Sequence, residues 1–340
     1  MGQFFGSIDP AADSGWTGGD PRKGFFTDTS ICIGCKACEV ACKEWNELPA
    51  DSDGLLGSSY DNSGELGADT WRHVAFIEQD ADRIAEARES GRRLVNLGMP
   101  ALPSQQAGGA PGAGGGVDLL SDPHAHDAEP PADLRPPDTP EFRWLMSSDV
   151  CKHCTHAGCL DVCPTGALFR TEFGTVVVQD DICNGCGVCV AACPFGVIDR
   201  RSDGTAAPGE RGAQKGGGIA QKCTLCYDRL TDGQTPACAQ TCPTTSIKFG
   251  DRQEMVETAK ERVAELHDQG MTEARLYGAN DSDGVGGIGS VFLLLDEPEV
   301  YGLPPDPQVC TKTLPRNYGR AGLAALGMLL SAAIAFRGRR

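Results

Sequence analysis

The sequence predicts an α+β fold made of two cysteine-rich units, one inserted between the halves of the other, with a C-terminal transmembrane helix. Three observations lead there. Sixteen of the seventeen cysteines fall into four groups of four. Short β-rich runs, not long periodic helices, separate and flank these groups. An uncharged stretch, Ala321 to Phe336, lies near the end of the chain.

The first quartet reads Cys32-x2-Cys35-x2-Cys38-x3-Cys42, and the second Cys151-x2-Cys154-x4-Cys159-x3-Cys163. The third is Cys183-x2-Cys186-x2-Cys189-x3-Cys193, and the fourth Cys223-x2-Cys226-x11-Cys238-x3-Cys242. A 4Fe–4S cubane takes one thiolate at each of its iron corners, so sixteen ligands make four clusters with none left over. In C-x2-C-x2-C the backbone curls around the cube and turns amides toward the sulfides. Gly34, Gly185 and Gly187 lie inside such loops, where the missing Cβ permits close approach or positive φ. In two-cluster ferredoxins the fourth cysteine serves the other cluster and a proline follows it. Cys163-Pro164, Cys193-Pro194 and Cys242-Pro243 fit, whereas Lys43 follows Cys42. Disulfides suit small secreted chains, and 340 residues are enough for ordinary cores. Structural zinc also uses Cys-x2-Cys pairs, but with a longer finger between them; two of these quartets fit four thiols into eleven residues. Cys310 stands alone and reads as a free cysteine.

Each element follows in chain order. Met1 to Ser30 has no basic start and no apolar run, so no secretory signal is expected, and Arg92-Arg93 is too internal for a twin-arginine signal. Residues 24–97 form the first half of an outer ferredoxin-like unit, with a β-rich run at Trp71–Ile77. Residues 98–140 hold seven glycines and nine prolines and read as a linker. Its His124 and His126 read as solvated, not as metal ligands. Residues 141–200 form the inserted unit, in which two β-rich runs around Gly174 make a hairpin joining the second and third quartets. Arg201 to Gly218 is a Gly-rich loop without a phosphate-binding signature. Residues 219–250 complete the outer unit, whose sheet is expected from Trp71–Ile77 and Ser246–Phe249. Residues 251–308 brace it: Asp251-Arg252-Gln253-Glu254 reads as a capping box, Met255, Ala259, Val263 and Leu266 share a helix face, and Gly270 ends that helix. Ser290–Leu295 is a strand candidate. Residues 318–337 are the membrane helix. Its uncharged core covers about 24 Å against a hydrocarbon thickness of roughly 30 Å, so Arg320 and Arg337 would snorkel at its ends, with Tyr318 at an interface. Lys312, Arg316 and Arg320 balance Arg337, Arg339 and Arg340, leaving orientation undecided.

A formal charge of −17 argues against a nucleic-acid partner. No catalytic apparatus is evident. Asp180-Asp181 and Asp296-Glu297 read as turns and solvated surface. With four cysteines already in the second quartet, His153 and His156 read as hydrogen-bond donors around the cluster or as docking residues. Lys36 is either a solvated lysine or a cation that raises its cluster's potential.

The run Cys32-Ile33-Gly34-Cys35-Lys36-Ala37-Cys38-Glu39-Val40-Ala41-Cys42-Lys43-Glu44-Trp45-Asn46 resembles the iron–sulfur (beta) subunit of respiratory formate dehydrogenase. So do Cys151-Lys152-His153-Cys154, Cys223-Thr224-Leu225-Cys226-Tyr227-Asp228-Arg229, and Tyr301-Gly302-Leu303-Pro304 ahead of the apolar helix. The resemblance implies one cluster on Cys32, Cys35, Cys38 and Cys242, and a second on Cys42, Cys223, Cys226 and Cys238. It implies a third on Cys151, Cys154, Cys159 and Cys193, and a fourth on Cys163, Cys183, Cys186 and Cys189. It further implies a separate molybdenum- or tungsten-pterin catalytic subunit, a membrane cytochrome b or other quinone-reducing subunit, and a place at the extracytoplasmic face of the cell membrane. Other readings stay open on the sequence: the same role in a dimethyl sulfoxide, polysulfide or nitrate reductase or a hydrogenase, or a freestanding polyferredoxin.

Overall fold

The computed structural model describes residues 21–50, 57, 60–96, 141–201 and 218–337. The 98–140 linker with His124 and His126, and nearly all of the Arg201–Gly218 loop, lie outside the described residues. At the centre is a sheet whose strands run in the order β8-β1-β10-β9. Here β1 is Lys23–Asp28, β8 Ile247–Asp251, β9 Arg275–Tyr277 and β10 Ser290–Leu294. β1 pairs antiparallel with β8 and parallel with β10. Both central strands are nearly all buried, which is why their runs are continuous instead of alternating.

Helix α7 (Arg252–Asp268) covers this sheet. Val256, Ala259 and Leu266 are buried, with Met255 and Val263 half-buried beside them, against Phe26, Val291 and Leu293. Burying a Val or Leu side chain contributes about 1.5–3 kcal/mol, so this face anchors the helix. Asp251 stands at the N-cap, but its carboxylate makes no capping bond and takes the Lys23 ammonium at 2.6 Å instead. The expected capping box is replaced by an ion pair between β1 and β8.

The run at Trp71–Ile77 becomes β2 (Arg72–Asp80), and its partner is β3 (Phe142–Val150), not the strand near Ser246. The two nine-residue strands pair from Arg72↔Val150 to Asp80↔Phe142, while β1 takes the edge of β8. The expected outer-unit sheet is corrected accordingly. Helix α2 (Ala81–Asn96) follows β2. Asp296 corrects another expectation: it is fully buried and accepts bonds from Gln79 Nε2 and from Arg83 Nε and Nη2, so it is a structural ion pair and not solvated surface.

Short helices carry or follow part of each quartet: α1 (Ala37–Trp45) holds Cys38 and Cys42, α3 (Gly158–Asp161) Cys159, α4 (Val188–Ala192) Cys189 and α6 (Ala237–Gln240) Cys238, while α5 (Tyr227–Thr231) starts after Cys226. α1 packs on α6 and α3 on α4, so the first quartet meets the fourth and the second meets the third. The hairpin expected between the second and third quartets is β4 (Leu168–Arg170) with β5 (Val176–Val178). A two-residue ladder, β6 (Asp199–Arg200) with β7 (Ala220–Gln221), leads back to the fourth quartet. The fold is thus the expected α+β arrangement of two ferredoxin-like dicluster units.

Helix α8 (Cys310–Arg337) ends the described chain. Its segment Asn317–Arg337 has 21 residues, a mean hydropathy of 1.6 and no buried surface. At helical rise that is about 32 Å, long enough to cross a bilayer core of roughly 30 Å. Its base is tied to the cluster units through Thr311, which donates to Asp161, and Lys312, which donates to the Asp283 carbonyl.

Candidate metal centres

Strand β1 runs out of the sheet into the first loop. Gly34 has φ 65° and Lys36 φ 59°, the curl that swings Cys32, Cys35 and Cys38 inward. Together with Cys242 they ring a cavity of about 300 Å³, counted to its open mouth, walled by Val74, Ser148 and Ile247. Glu39, on α1, docks this loop by accepting the Val74 N–H at 3.1 Å. Lys36 is not a free cation: it pairs with Asp61 at 2.9 Å and Glu39 at 3.3 Å, which offsets its charge.

A second cavity, of about 370 Å³ counted likewise, is ringed by Cys151, Cys154, Cys159 and Cys193, with Val176, Phe195, Ile198 and Lys222 in its wall. His153 also lines it and is buried, which ends the docking reading. Its Nδ1 accepts the Val176 N–H at 3.1 Å, and its Nε2 has no partner among the described residues. Burial, with Lys222, Arg22 and Arg170 nearby, holds the ring well below its usual pKa and therefore neutral. Since Nδ1 accepts, the proton sits on Nε2. His156 lies outside this wall and instead packs on Gly286.

The other eight thiols fall into two crowds. Burial pushes the Cys42 thiol well up, and Cys223, Cys238 and Cys226 add to it. Burial likewise pushes Cys189 up to about 11, with Cys183, Cys186 and Cys163 adding. Cys163 goes the other way: burial raises it, but N–H groups of Leu168, Thr165 and Ala167 and the Thr165 hydroxyl outweigh that and lower it. Successive groups are also neighbours. After burial, Cys238 helps raise Cys38, Cys151 helps raise Cys223, and Cys189 helps raise Cys159. Cys35 and Cys186 are exposed, whereas Cys42, Cys223, Cys226 and Cys238 are all buried.

Among the described residues, no three His, Cys, Asp or Glu side chains converge on a point able to hold one metal ion. A structural zinc needs ligands meeting about 2.3 Å from a single centre. Thiols standing around a cavity, one per corner, fit a polynuclear cluster instead. The donor set is uniformly thiol, the ligand chemistry of 4Fe–4S sites.

Trp45 and the Tyr227-Asp228-Arg229 segment, far apart in sequence, meet in space. Trp45 Nε1 donates to Asp228 at 2.7 Å, and the Arg229 guanidinium lies 4.2 Å from the Trp45 ring centroid. Sequence reasoning missed the buried cations Arg72, Lys152 and Lys222. A lone Arg in the otherwise β-rich run after Thr70 was the available signal for Arg72.

These features define a class: an iron–sulfur electron-transfer protein with 4Fe–4S clusters. Residues 31–167 and 142–252 each match the 4Fe–4S dicluster domain. Over 287 residues, 83% of this chain and 68% of the relative, the sequence is 34% identical to the formate dehydrogenase iron–sulfur subunit of Haemophilus influenzae. Over 306 residues, 89% of this chain and 79% of the relative, it is 33% identical to the nitrate-inducible formate dehydrogenase iron–sulfur subunit of Escherichia coli K12. A stretch of 110 residues, 32% of this chain and 50% of the relative, is 46% identical to the thiosulfate reductase electron transfer subunit PhsB of Salmonella typhi. The chain belongs to the family of formate dehydrogenase iron–sulfur subunits, and it is a non-catalytic electron carrier.

Proposed function

We propose that the chain carries four 4Fe–4S clusters in a row and passes electrons from a molybdenum- or tungsten-pterin formate dehydrogenase subunit to a quinone-reducing membrane subunit. The carrying observation is that two sets of four thiols, each drawn from a quartet and its partner quartet, ring cavities, and the remaining eight act on one another electrostatically in two further groups. On this reading the first cluster sits on Cys32, Cys35, Cys38 and Cys242, and the second on Cys42, Cys223, Cys226 and Cys238. The third sits on Cys151, Cys154, Cys159 and Cys193, and the fourth on Cys163, Cys183, Cys186 and Cys189. The electrostatic influence of Cys238 on Cys38, of Cys151 on Cys223 and of Cys189 on Cys159 supports that order along the wire.

The direction of the wire has its own support. Cys35 and Cys186 are exposed, one at each end. The base of α8 is fixed to Asp161 of α3, between Cys159 of the third cluster and Cys163 of the fourth, so that end of the row lies toward the membrane. The first cluster then faces the catalytic partner, behind a rim of exposed Ile33, Tyr60 and Trp144. Helix α8 spans the membrane once, and the cluster units lie at its extracytoplasmic face. The bound clusters supply one-electron redox chemistry; the chain's own residues place them, exclude water and set their charge surroundings. The domain limits at 24–97, 141–200, 219–250 and 251–308 are part of the same reading.

Anaerobic purification in detergent, with metal counts and identification of bound subunits, tests it. About sixteen irons per chain and a pterin-bearing partner that reduces the clusters with formate are expected. The same iron with a partner inert to formate transfers the wire to another oxidoreductase, a reading the thiosulfate reductase likeness also supports. Zinc without iron overturns it.

A further inference from the structure

We propose that Arg72 is the shared counter-cation of the first two clusters: its guanidinium stands between them, donates toward their sulfur shells, and raises both reduction potentials. Arg72 opens β2, and its side chain is among the largest fully buried ones. Nη1 donates to Ser148 Oγ at 3.0 Å and to the Ser148 carbonyl at 3.3 Å. Nε and Nη2 are buried and find no acceptor among the described residues. A guanidinium stripped of water and left half-satisfied is strongly unfavourable unless a negative partner completes it. The charged groups acting on it most are thiols, not carboxylates: Cys238, Cys38, Cys223 and Cys42. Cys38 belongs to the first ring, and Cys42, Cys223 and Cys238 to the second. Cys38, Cys223 and Cys238 share one buried cluster with Phe25, the ring the guanidinium lies against, so the cation stands beside two sites that will both be anionic.

Ser148 extends the contact. Its Oγ accepts from Arg72 and lies 3.2 Å from Cys38 Sγ, so its own proton is left to donate to that sulfur. Phe25, whose ring centroid is 4.8 Å from the guanidinium carbon, excludes water on one side. Reduction adds one electron and one negative charge to a cluster, with no proton moving at Arg72. A nearby cation favours that more negative state and raises the potential. Lys36 does not compete for this role, because Asp61 and Glu39 already offset it. The bland reading is a prop for the β2–β3 ribbon, and a prop would move stability without moving potentials.

This inference rests on the four-cluster reading above, and the test separates the two. The whole complex is purified anaerobically with wild-type, Arg72→Gln and Arg72→Lys chains, and each is titrated with spin-resonance detection after its iron is counted. In Arg72→Gln, two of the four clusters should become at least tenfold harder to reduce, a fall of about 59 mV for a one-electron couple. The other two should keep their potentials, and Arg72→Lys should recover most of the loss. Four unchanged potentials in a fully loaded Arg72→Gln complex overturn the proposal, as does a uniform shift of all four. A Lys variant as shifted as Gln, or failure of both variants to load iron, also overturns it by making Arg72 a structural prop. A wild-type chain without iron sinks the four-cluster reading itself.

Discussion

Gly34→Ala tests whether the first loop is shaped for a cluster or merely tolerates one. Gly34 has φ +65°, and an alanine in the left-handed region costs roughly 1–2 kcal/mol. The new Cβ would also meet Phe76 Cε1 at 2.6 Å and Met146 Cγ at 3.0 Å. Phe76 is not free to swing away, since its ring packs tilted against Tyr60 at 5.0 Å and edge-on to Trp144 at 6.2 Å between centroids. Overpacking of that kind adds about 1–3 kcal/mol, for a total of roughly 2–5 kcal/mol. Gly166→Ala supplies the internal control: its φ is +70°, but nothing lies within 4 Å of the added Cβ. The assay is urea-induced bleaching of the cluster absorbance under anaerobic conditions, with iron counted before and after. Gly34→Ala should bleach at distinctly lower urea than Gly166→Ala and lose one cluster's iron first. Equal midpoints for the two variants would refute the Phe76 clash. A wild-type midpoint in both would refute the backbone argument as well.

Other perturbations probe other parts of the molecule. Arg143 pairs with fully buried Glu273 at 2.8 Å, so Arg143→Met leaves that carboxylate under-compensated and should cost about 3–5 kcal/mol in thermal denaturation; a shift equivalent to less than about 1 kcal/mol would refute the pairing. Burial raises Asp61, but Lys36 and the N–H groups of Ser63 and Gly64 outweigh it and hold the carboxyl at about 2, below its usual range. A depressed pKa stabilises above the unfolded value and loses that contribution as pH falls toward 2, so wild type should exceed Asp61→Asn by on the order of 1 kcal/mol at pH 7, after screening, and converge with it in acid. A gap that persists at low pH would contradict this, with hydrogen exchange in the 60–64 loop as the readout. Deleting residues 317–337 should free the chain, prepared without its partner subunits, from vesicles with cluster spectra intact, because that span buries nothing against the described residues. Loss of the spectra would make α8 part of the cluster fold.

The cysteine loops were legible because their instructions are local. Gly34, Gly185 and Gly187 all take positive φ where the spacing asked for it. The helix at Met255–Leu266 was legible for the same reason, its periodicity being contained in the segment itself, and the strand at Ser290 was legible as a short continuous apolar run. β1 and β3 were not, since Lys-Gly-Phe-Phe-Thr-Asp is buried on both sides and shows no alternation, and β3 owes its length to its pairing with β2. Asp296 looked like surface because nothing nearby in sequence shows that Arg83 and Gln79 will enclose it. Arg72 and Ser148 meet only once β2 and β3 have paired, and no local pattern marks them.

The placement of β1 bears on how the chain is made. Its two neighbours in the sheet are residues 247–251 and 290–294, so the strand that leads into the first cysteine loop stays unpaired until segments far along the chain have been made. Contacts so distant in sequence form slowly. Meanwhile Cys32, Cys35, Cys38 and Cys42 have no finished pocket to enter, and open thiols on a growing chain are prone to oxidation. Iron can settle in the first cysteine loop only after residues 247–251 and 290–294 have been made and have paired with β1.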